Sequence, residues 1–457
     1  MKVLLIQPAN NDPMLDQVFL YEPLALEYVG AGLKLDGHEV RLLDTRIHPD
    51  YEKEFKEFQP EVVGLTGLTC HVNIIKKIAA RLKSMSPGVM VVVGGHHASV
   101  KPVDFNDSVI DVVVIGEGVF TLREILVAYK AGEGYSRIPG VGIPRKEGME
   151  FSTPRPYTDL NDLPFPDRSL TASCRDQYFS EWFKPLASIR TSLGCTSRCN
   201  FCALWKITNG KYLRRKPEKV IEELLEIKEP NIYFCDDESM SDVKRMDKLA
   251  DLIAEAGIKK RFFGYARVDT IVNHPDLFAK WAKIGLVQVF VGMEDFSEER
   301  LKAMHKGITT AQQEQAVKIL HDLGIMMYAS FIVDPAYTRE DFRKLTAYVR
   351  RMKHKYLLFT VLTPLPGTDL YESRKGELLT ERPEMYDMVH TVLPTTLPLK
   401  EFYGEFARLY RKGLPFSGLI VSFFRFGLSG IGVRGMLQKI VLFSHVLKKF
   451  SLMHLDH

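Results

Sequence analysis

Cysteine is scarce in this chain, six residues in 457, which excludes a fold held together by disulfides at this length. Long apolar runs are missing too. No stretch reaches the roughly 18 to 20 uninterrupted apolar residues that a membrane span needs. The amino terminus, MKVLLIQPANND, carries one lysine and a short apolar run but no long h-region or small-residue cleavage site. It reads as a first β-strand rather than an export signal. A reducing, cytoplasmic location is the expectation, in which thiols ligate metal or stay buried rather than pair. An excess of one charge is also lacking: the formal net charge is +4, which gives no support for nucleic acid as the main partner. Nor does a G-x-G-x-x-G follow the first strand, so a dinucleotide fold has no fingerprint here.

Against that scarcity, SLGCTSRCNFCALW (residues 192–205) places Cys195, Cys199 and Cys202 within eight positions, with no fourth partner in the segment. A structural zinc site wants four ligands, usually as two pairs, and a disulfide framework wants even numbers. The cluster fits neither. The run PLASIRTSLG before it reads as a strand that delivers its carboxyl end to the cysteine loop. Further strands follow at NIYFCDD, RFFGYARVD, LVQVFVGMED, MMYASFIVD and YLLFTVLTPLPG, with helical patterns between them. Six strand–helix units in series predict a partial (β/α)6 barrel, whose chemistry sits on the rim at the strand carboxyl ends.

The first 130 residues also alternate strand and helix, which predicts a doubly wound, Rossmann-like parallel sheet. Such sheets bind ligands beyond their carboxyl edges. Two loops there stand out: Gly94-Gly95-His96-His97 and Gly116-Glu117-Gly118. Glycine at a strand end lets backbone approach a ligand closely. The loop histidines fit ordinary hydrogen-bonding roles better than metal ligation. The expected organisation is an α/β domain over residues 1–150, a linker over 151–186 rich in Pro, Asp and Ser, a barrel over 187–370, and a helical region over 371–457. From Phe406 onward Asp456 is the sole acidic residue, while Phe, Leu and Ile abound. That end reads either as helices packed on the barrel or as a basic amphipathic surface lying on an anionic membrane.

C-x-x-x-C-x-x-C with an aromatic residue, Phe201, before the last cysteine resembles the radical S-adenosylmethionine superfamily. The resemblance implies that Cys195, Cys199 and Cys202 are the catalytic metal ligands, holding three irons of a 4Fe-4S cluster. The open iron would take the amino and carboxylate groups of S-adenosylmethionine. It also implies contacts to that molecule from Asp236, Asp237 and Glu238 at its amino end, from Arg267 at its carboxylate and from Glu294 at its ribose. Each of these could instead be a structural ion-pair partner. Cys235 is expected to face the barrel core, and Cys70 and Cys174 to be buried or incidental. The loops at Gly94, Gly95 and His96 and at Gly116, Glu117 and Gly118 resemble those of the cobalamin-binding domain that precedes many such barrels. The D-x-H-x-x-G motif, whose histidine ligates cobalt in other cobalamin proteins, is absent, and GLTGLTCHVN stands in its place. Cobalt would then have no protein histidine beneath it, with His71 an alternative that spacing does not support.

Segments outside the cofactor motifs, among them YFCDDESM, FIVDPAYTREDF, TPLPGTDLY and HTVLPTTLPLKEFYGEFARLY, resemble the hopanoid C-3 methylase branch of these cobalamin-dependent enzymes. That branch implies radical methylation of an unactivated carbon in an apolar lipid, with flavodoxin or ferredoxin as reductant. The alternatives are an oxidative cyclase of a tetrapyrrole, a methylase of another apolar metabolite such as a polyketide or isoprenoid, and a non-enzymatic cobalamin or redox sensor. The intact cysteine motif and complete barrel weigh against a sensor, which needs no open iron.

Overall fold

The computed structural model describes residues 1–10, 15–181, 183–354, 356–413 and 432–457. Short Val-, Leu- and Ile-rich runs, buried on both faces, form a parallel sheet as such runs do. Its strands are β1 (Lys2–Gln7), β2 (Glu39–Asp44), β3 (Val62–Thr66), β4 (Met90–Gly94) and β5 (Val112–Val114), extended by β6 (Val141–Ile143) and β7 (Glu150–Phe151). The order is β2-β1-β3-β4-β5-β6-β7, parallel through β5 and antiparallel after it. Helices α1 (Leu24–Leu35) and α4 (Val119–Ala131) cover one face, α2 (Tyr51–Phe58) and α3 (Val72–Met85) the other, each over its own apolar core. This is the doubly wound sheet that the alternation predicts.

The second sheet contains β8 (Leu186–Ile189), β9 (Asn231–Phe234), β10 (Arg261–Ala266), β11 (Leu286–Glu294), β12 (Met326–Val333) and β13 (Tyr356–Val361). Their spatial order is the chain order and every neighbour is parallel, the partial barrel expected from six repeated units. Amphipathic helices α5 (Pro217–Glu226), α6 (Val243–Glu255), α7 (Pro275–Lys283), α8 (Thr310–Asp322) and α9 (Arg339–Arg351) cover its outside. Their starts are written in the sequence. Pro217 and Pro275 open α5 and α7, and Thr309/Gln312 and Thr338/Asp341 form capping boxes on α8 and α9.

Helix α10 (Leu399–Gly413) packs on α9 through Phe402 and Phe342, whose rings lie 5.6 Å apart. Helix α11 (Gly432–Leu452) folds back on α10, with the Phe450 ring 5.2 Å from Phe406 and 5.0 Å from Tyr410. The end of the basic, apolar tail is thus a packed cap, while its stretch over 414–431 lies outside the described residues. Among the described residues no helix is long and apolar enough to cross a membrane.

The linker departs from expectation. Its later half is core: Tyr178 and Phe183 are fully buried, and Phe179–Ser180 pairs antiparallel with Phe19–Leu20. The reason is electrostatic. Arg168 donates to Glu223 at 2.7 Å, and Arg175 pairs with Glu22 and Glu229. Arg215 reaches Glu223 at 2.5 Å. Glu22 also accepts the Ser188 amide of β8, and Glu27 in α1 accepts from Thr171 at 2.5 Å. The network lies between α1 of the first domain and the base of the barrel. It turns the carboxyl edges of the two sheets toward each other. Val119 and Tyr28 pack with Cys235 just beyond β9, and Asn73 donates to Glu384 at 2.8 Å.

Four carboxyls face three guanidiniums in this network, so one carboxyl is in excess. Burial, reinforced by the neighbouring Glu22 charge, raises Glu27 to a pKa of about 8, which marks it as the one that keeps its proton. A raised carboxyl pKa stabilises the fold at low pH, and that stability drains as pH rises from the ordinary carboxyl range to about 8. Glu27→Gln should remove that decline, giving a flatter unfolding free energy than wild type across this window in denaturant titrations. Arg175→Ala strands buried carboxylates and should cost about 3–5 kcal/mol by the same measurement.

Candidate active site

The cysteine loop is placed by two aspartates. Strand β8 ends at Ile189, and beyond it Asp236 accepts the Thr191 amide at 2.6 Å, the Thr191 hydroxyl at 2.5 Å and the Ser192 amide at 2.9 Å. Asp237 accepts the Gly194 amide at 2.6 Å. Gly194 has φ of +95°, and a Cβ there would lie 2.1 Å from the Lys211 carbonyl, so only glycine fits immediately before Cys195. The loop is then sewn to the rim: Trp205 Nε1 donates to the Cys199 carbonyl at 2.9 Å, and Asn200 Nδ2 to Ala303 at 2.9 Å. Phe201 packs with Met304, Ile332, Leu362 and Leu370. Cys195, Cys199 and Cys202 are free thiols, Cys199 buried and the other two half-buried. Burial raises Cys199, opposed by the charges of Lys306 and Arg267, and it pushes Cys202 up to about 12. Loading such thiols with metal must expel their protons.

Around this loop the expected contacts divide. Asp236 accepts three hydrogen bonds from the loop and is a positioning residue. Glu238 differs. It is 2% exposed and neither oxygen has a well-formed hydrogen bond. Burial pushes its pKa up to about 7, which Ser241 and the Met240 and Arg267 amides oppose only in part. Arg267 donates to Asp269 at 2.9 and 3.3 Å and to the Lys306 carbonyl at 2.9 Å. Glu294, held at φ of +65°, accepts from Lys306 Nζ at 2.5 Å. Gly292 leaves room for that pair, since a Cβ there would stand 2.2 Å from Glu294 Oε1. Lys306, which sequence reasoning missed, links the two residues from its opposite ends. Its one signal was the glycine of the tight turn at His305-Lys306-Gly307. Cys235 does not face the barrel core: it packs toward α1 and α4, with Sγ 3.4 Å from the Ile189 carbonyl. Cys174 is buried against Tyr178, and Cys70 lies in the loop after β3, away from the cysteine loop's sequence.

In the first domain, Gly95 has φ of +98°, and a Cβ there would lie 2.3 Å from Thr66 Oγ1, so the loops after β3 and β4 close on one another only through glycine. Gly94 is in looser contact with Val114. His96 opens a short helix (His96–Val100), and burial lowers its pKa. His97 is fully buried between Thr69 and Asp104, both at 3.0 Å. Gly116, at φ of +84°, donates its amide to Ser99 at 3.0 Å. Glu117 turns out to be a helix cap: its carboxylate takes the amides of Val119 and, at 3.0 Å, Phe120, with Gly118 at the N-cap of α4. His71 accepts the Leu68 amide on Nδ1 at 3.1 Å and meets Asn10 Oδ1 through Nε2 at 2.5 Å. Burial pushes it down to about 4. Both ring nitrogens are engaged, which leaves no lone pair for cobalt.

The B12-binding domain family matches residues 17–126 and the radical SAM superfamily residues 189–349. The chain is 31% identical to the hopanoid C-3 methylase of Methylococcus capsulatus, over 90% of this chain and 81% of that protein. The chain belongs to the cobalamin-dependent radical S-adenosylmethionine methyltransferases. Two solved structures share the fold. TsrM from Kitasatospora setae, with cobalamin and a 4Fe-4S cluster bound, aligns with a TM-score of 0.68 at 19% identity, covering 90% of this chain and 88% of that one. OxsB, a cobalamin-dependent S-adenosylmethionine radical enzyme with aqua-cobalamin and S-adenosylmethionine bound, gives 0.73 at 17% identity, covering 99% and 72%. The cofactors of this methyltransferase are accordingly a 4Fe-4S cluster, S-adenosylmethionine and cobalamin. The residues present fit them: three free thiols on one anchored loop suit a thiolate-bound cluster, and glycine-lined loops at a parallel sheet's carboxyl edge suit a large flat cofactor.

Two outcomes follow for the loaded methyltransferase. Gly194→Ala should fold but lose most of the about four irons of the reconstituted protein, because the loop must shift to admit the methyl group; iron and sulfide analysis reads this. Bound cobalamin should show a visible spectrum without histidine on cobalt, and His71→Asn should leave that spectrum unchanged.

Proposed function

We propose that this methyltransferase methylates an unactivated carbon of an uncharged, apolar lipid of the hopanoid type. The observation that carries this reading is the similarity to the hopanoid methylase, which runs through nearly the whole chain rather than through the cofactor motifs alone. When bound, the reduced cluster supplies the electron that opens S-adenosylmethionine, and cobalamin supplies the methyl group to a carbon too inert for acid–base chemistry.

The chain's own residues then have the following tasks. Cys195, Cys199 and Cys202 hold the cluster, with Phe201 screening one side from water. Glu238 takes the ammonium end of S-adenosylmethionine, a charge-assisted contact that a buried carboxylate with no other good partner makes well. Arg267 meets the carboxylate end, and Glu294 exchanges Lys306 for the ribose hydroxyls. Asp236 and Asp237 keep the loop in register. Gly94, Gly95 and His96, with Gly116 and the helix end that Glu117 and Gly118 cap, line the cobalamin side. A small electron-transfer protein such as flavodoxin or ferredoxin supplies the electron.

Anaerobic incubation of reconstituted holoenzyme with a cellular lipid extract tests the reaction. Mass spectrometry should find a methylated triterpenoid together with S-adenosylhomocysteine and 5′-deoxyadenosine. A changed tetrapyrrole without S-adenosylhomocysteine would replace this reading with an oxidative cyclase. Glu238 supplies a second check. Its carboxyl is raised to about 7, so S-adenosylmethionine binding should weaken as pH falls through 7 and the carboxylate is lost. Glu238→Gln should bind about 10- to 100-fold less tightly at pH 8, as expected for a lost hydrogen bond between charged groups, and with little pH dependence.

A further inference from the structure

Between Glu181 and Glu218 the chain carries eight lysines and arginines and not one aspartate or glutamate. Over the whole chain the signs nearly balance, 61 basic residues against 57 acidic. The one-signed run is therefore a local feature, and it brackets the cysteine loop.

Folding sorts these cations. Arg215 is buried against Glu223, Arg214 pairs with Asp242 at 2.6 Å, and Lys206 pairs with Asp369. Arg198 and Lys211, both exposed, lie against aromatic rings instead. The Arg198 guanidinium stands 4.8 Å over Trp205, whose ring also carries the Lys206 ammonium at 4.9 Å. Lys211 stands 4.6 Å over Tyr157. These groups form one face. A Cβ on Gly210 would lie 2.3 Å from Arg198 Nη2, so the guanidinium covers the residue next to Lys211. Tyr157 donates its hydroxyl to the Ile207 carbonyl at 3.2 Å, which holds its ring beside the short helix Leu204–Ile207. Two rings, Trp205 half-buried and Tyr157 exposed, are thus rimmed by three cations. The face backs onto a metal ligand: Trp205 Nε1 donates to the Cys199 carbonyl at 2.9 Å, so one hydrogen bond joins the surface ring to the backbone of that cysteine.

We propose that the face formed by Arg198, Trp205, Lys206, Lys211 and Tyr157 is the dock for the electron-donating protein, a small carrier with an acidic rim around its redox centre. One electron leaves the carrier's flavin or iron–sulfur centre and is taken up by the cluster beside Cys199. The carrier is oxidised by one electron, the cluster is reduced by one, and no bond at this face is made or broken. An aromatic centre inside a charged rim is the make-up of a protein interface. Complementary charge steers the encounter and raises its rate, while a small contact area lets the spent carrier leave. Nucleic acid or an anionic membrane would want a longer basic tract, and this one is bounded by Asp369 and Asp242. The inference rests on the donor class proposed above and deepens it.

Freeze-quench reduction of the reconstituted holoenzyme tests the dock, read as the reduced cluster's paramagnetic resonance signal with no methyl acceptor present. Reduced flavodoxin is the probe, and the photogenerated deazariboflavin radical, small and uncharged, is the reference reductant. Lys206→Glu with Lys211→Glu should lower the second-order rate constant for flavodoxin about 10- to 100-fold at low salt, with no change for deazariboflavin. High salt should bring wild type down toward this variant, because the steering is screened. Lys53→Glu with Lys56→Glu, the same charge change at exposed positions of α2, should leave both rates at wild type. Arg198→Gln repeats the measurement if the first variant loses iron, and should show a smaller fall of the same kind. Equal flavodoxin rates in wild type and the Lys206/Lys211 variant overturn the dock and leave the donor class standing. An equal fall with deazariboflavin, or in the Lys53/Lys56 variant, overturns the dock as well. So does co-sedimentation with anionic vesicles that only the Lys206/Lys211 variant loses, which would assign the face to a membrane. Failure of both flavodoxin and a reduced ferredoxin to reduce wild type overturns donor class and dock together.

Discussion

The buried charge network between the domains is the constraint on which the rest depends. Cobalamin-side loops and cysteine loop belong to different sheets, and each sheet would fold with its own core. They are tied together because Glu22, just before α1, accepts the Ser188 amide of β8 while Arg168 and Arg175 close the gap from the linker. Burying that many charges is costly, and hydrophobic packing of similar volume would often be as stable. What charge pairs add is a single relative placement, since an ion pair shifted by one residue leaves uncompensated charge in low dielectric. A radical reaction shared between two cofactors needs that fixed geometry more than it needs stability.

Much of this was legible in the sequence because it is local. Strand and helix periods, the capping boxes and the prolines at helix starts are properties of short windows, and all six barrel strands stand where apolar runs put them. The three thiols were legible for the same reason. What escaped was every role set by a partner far along the chain. Asp236 sits 45 residues from the Thr191 amide that it holds, and nothing near it distinguishes an anchoring carboxylate from a ligand-binding one. Lys306 and the ends of Arg267 and Glu294 meet through a turn that pattern reading cannot fold. Glu117 looked like a ligand-loop residue, although a glutamate two residues before a helix is also what an orphaned first turn seeks. The linker misled through composition, because Pro, Asp and Ser mark turns while its later half also carries the buried anchors Tyr178 and Phe183.

The row of rings formed by Tyr265, Phe290, Tyr328 and Tyr356, register partners on β10 to β13, shows the converse, a long-range feature written in local code. Each of its residues occupies an ordinary alternating position in its strand. The register of parallel neighbours then aligns four of them into one surface, so that a property of the lumen arises from separate strands that carry no sign of it individually.

Lys306 makes the two ends of the rim one system. Its ammonium lies against Glu294 while its carbonyl receives Arg267, and its charge also bears on Cys199. A ligand that draws Glu294 away frees a buried cation beside a thiol and favours that thiol's ionised form. By reciprocity, a filled cysteine loop holds Lys306 more firmly and loosens its grip on Glu294. With Glu294 at the ribose as proposed above, nucleoside end and metal end share this single side chain, and a change at Lys306 is felt at both.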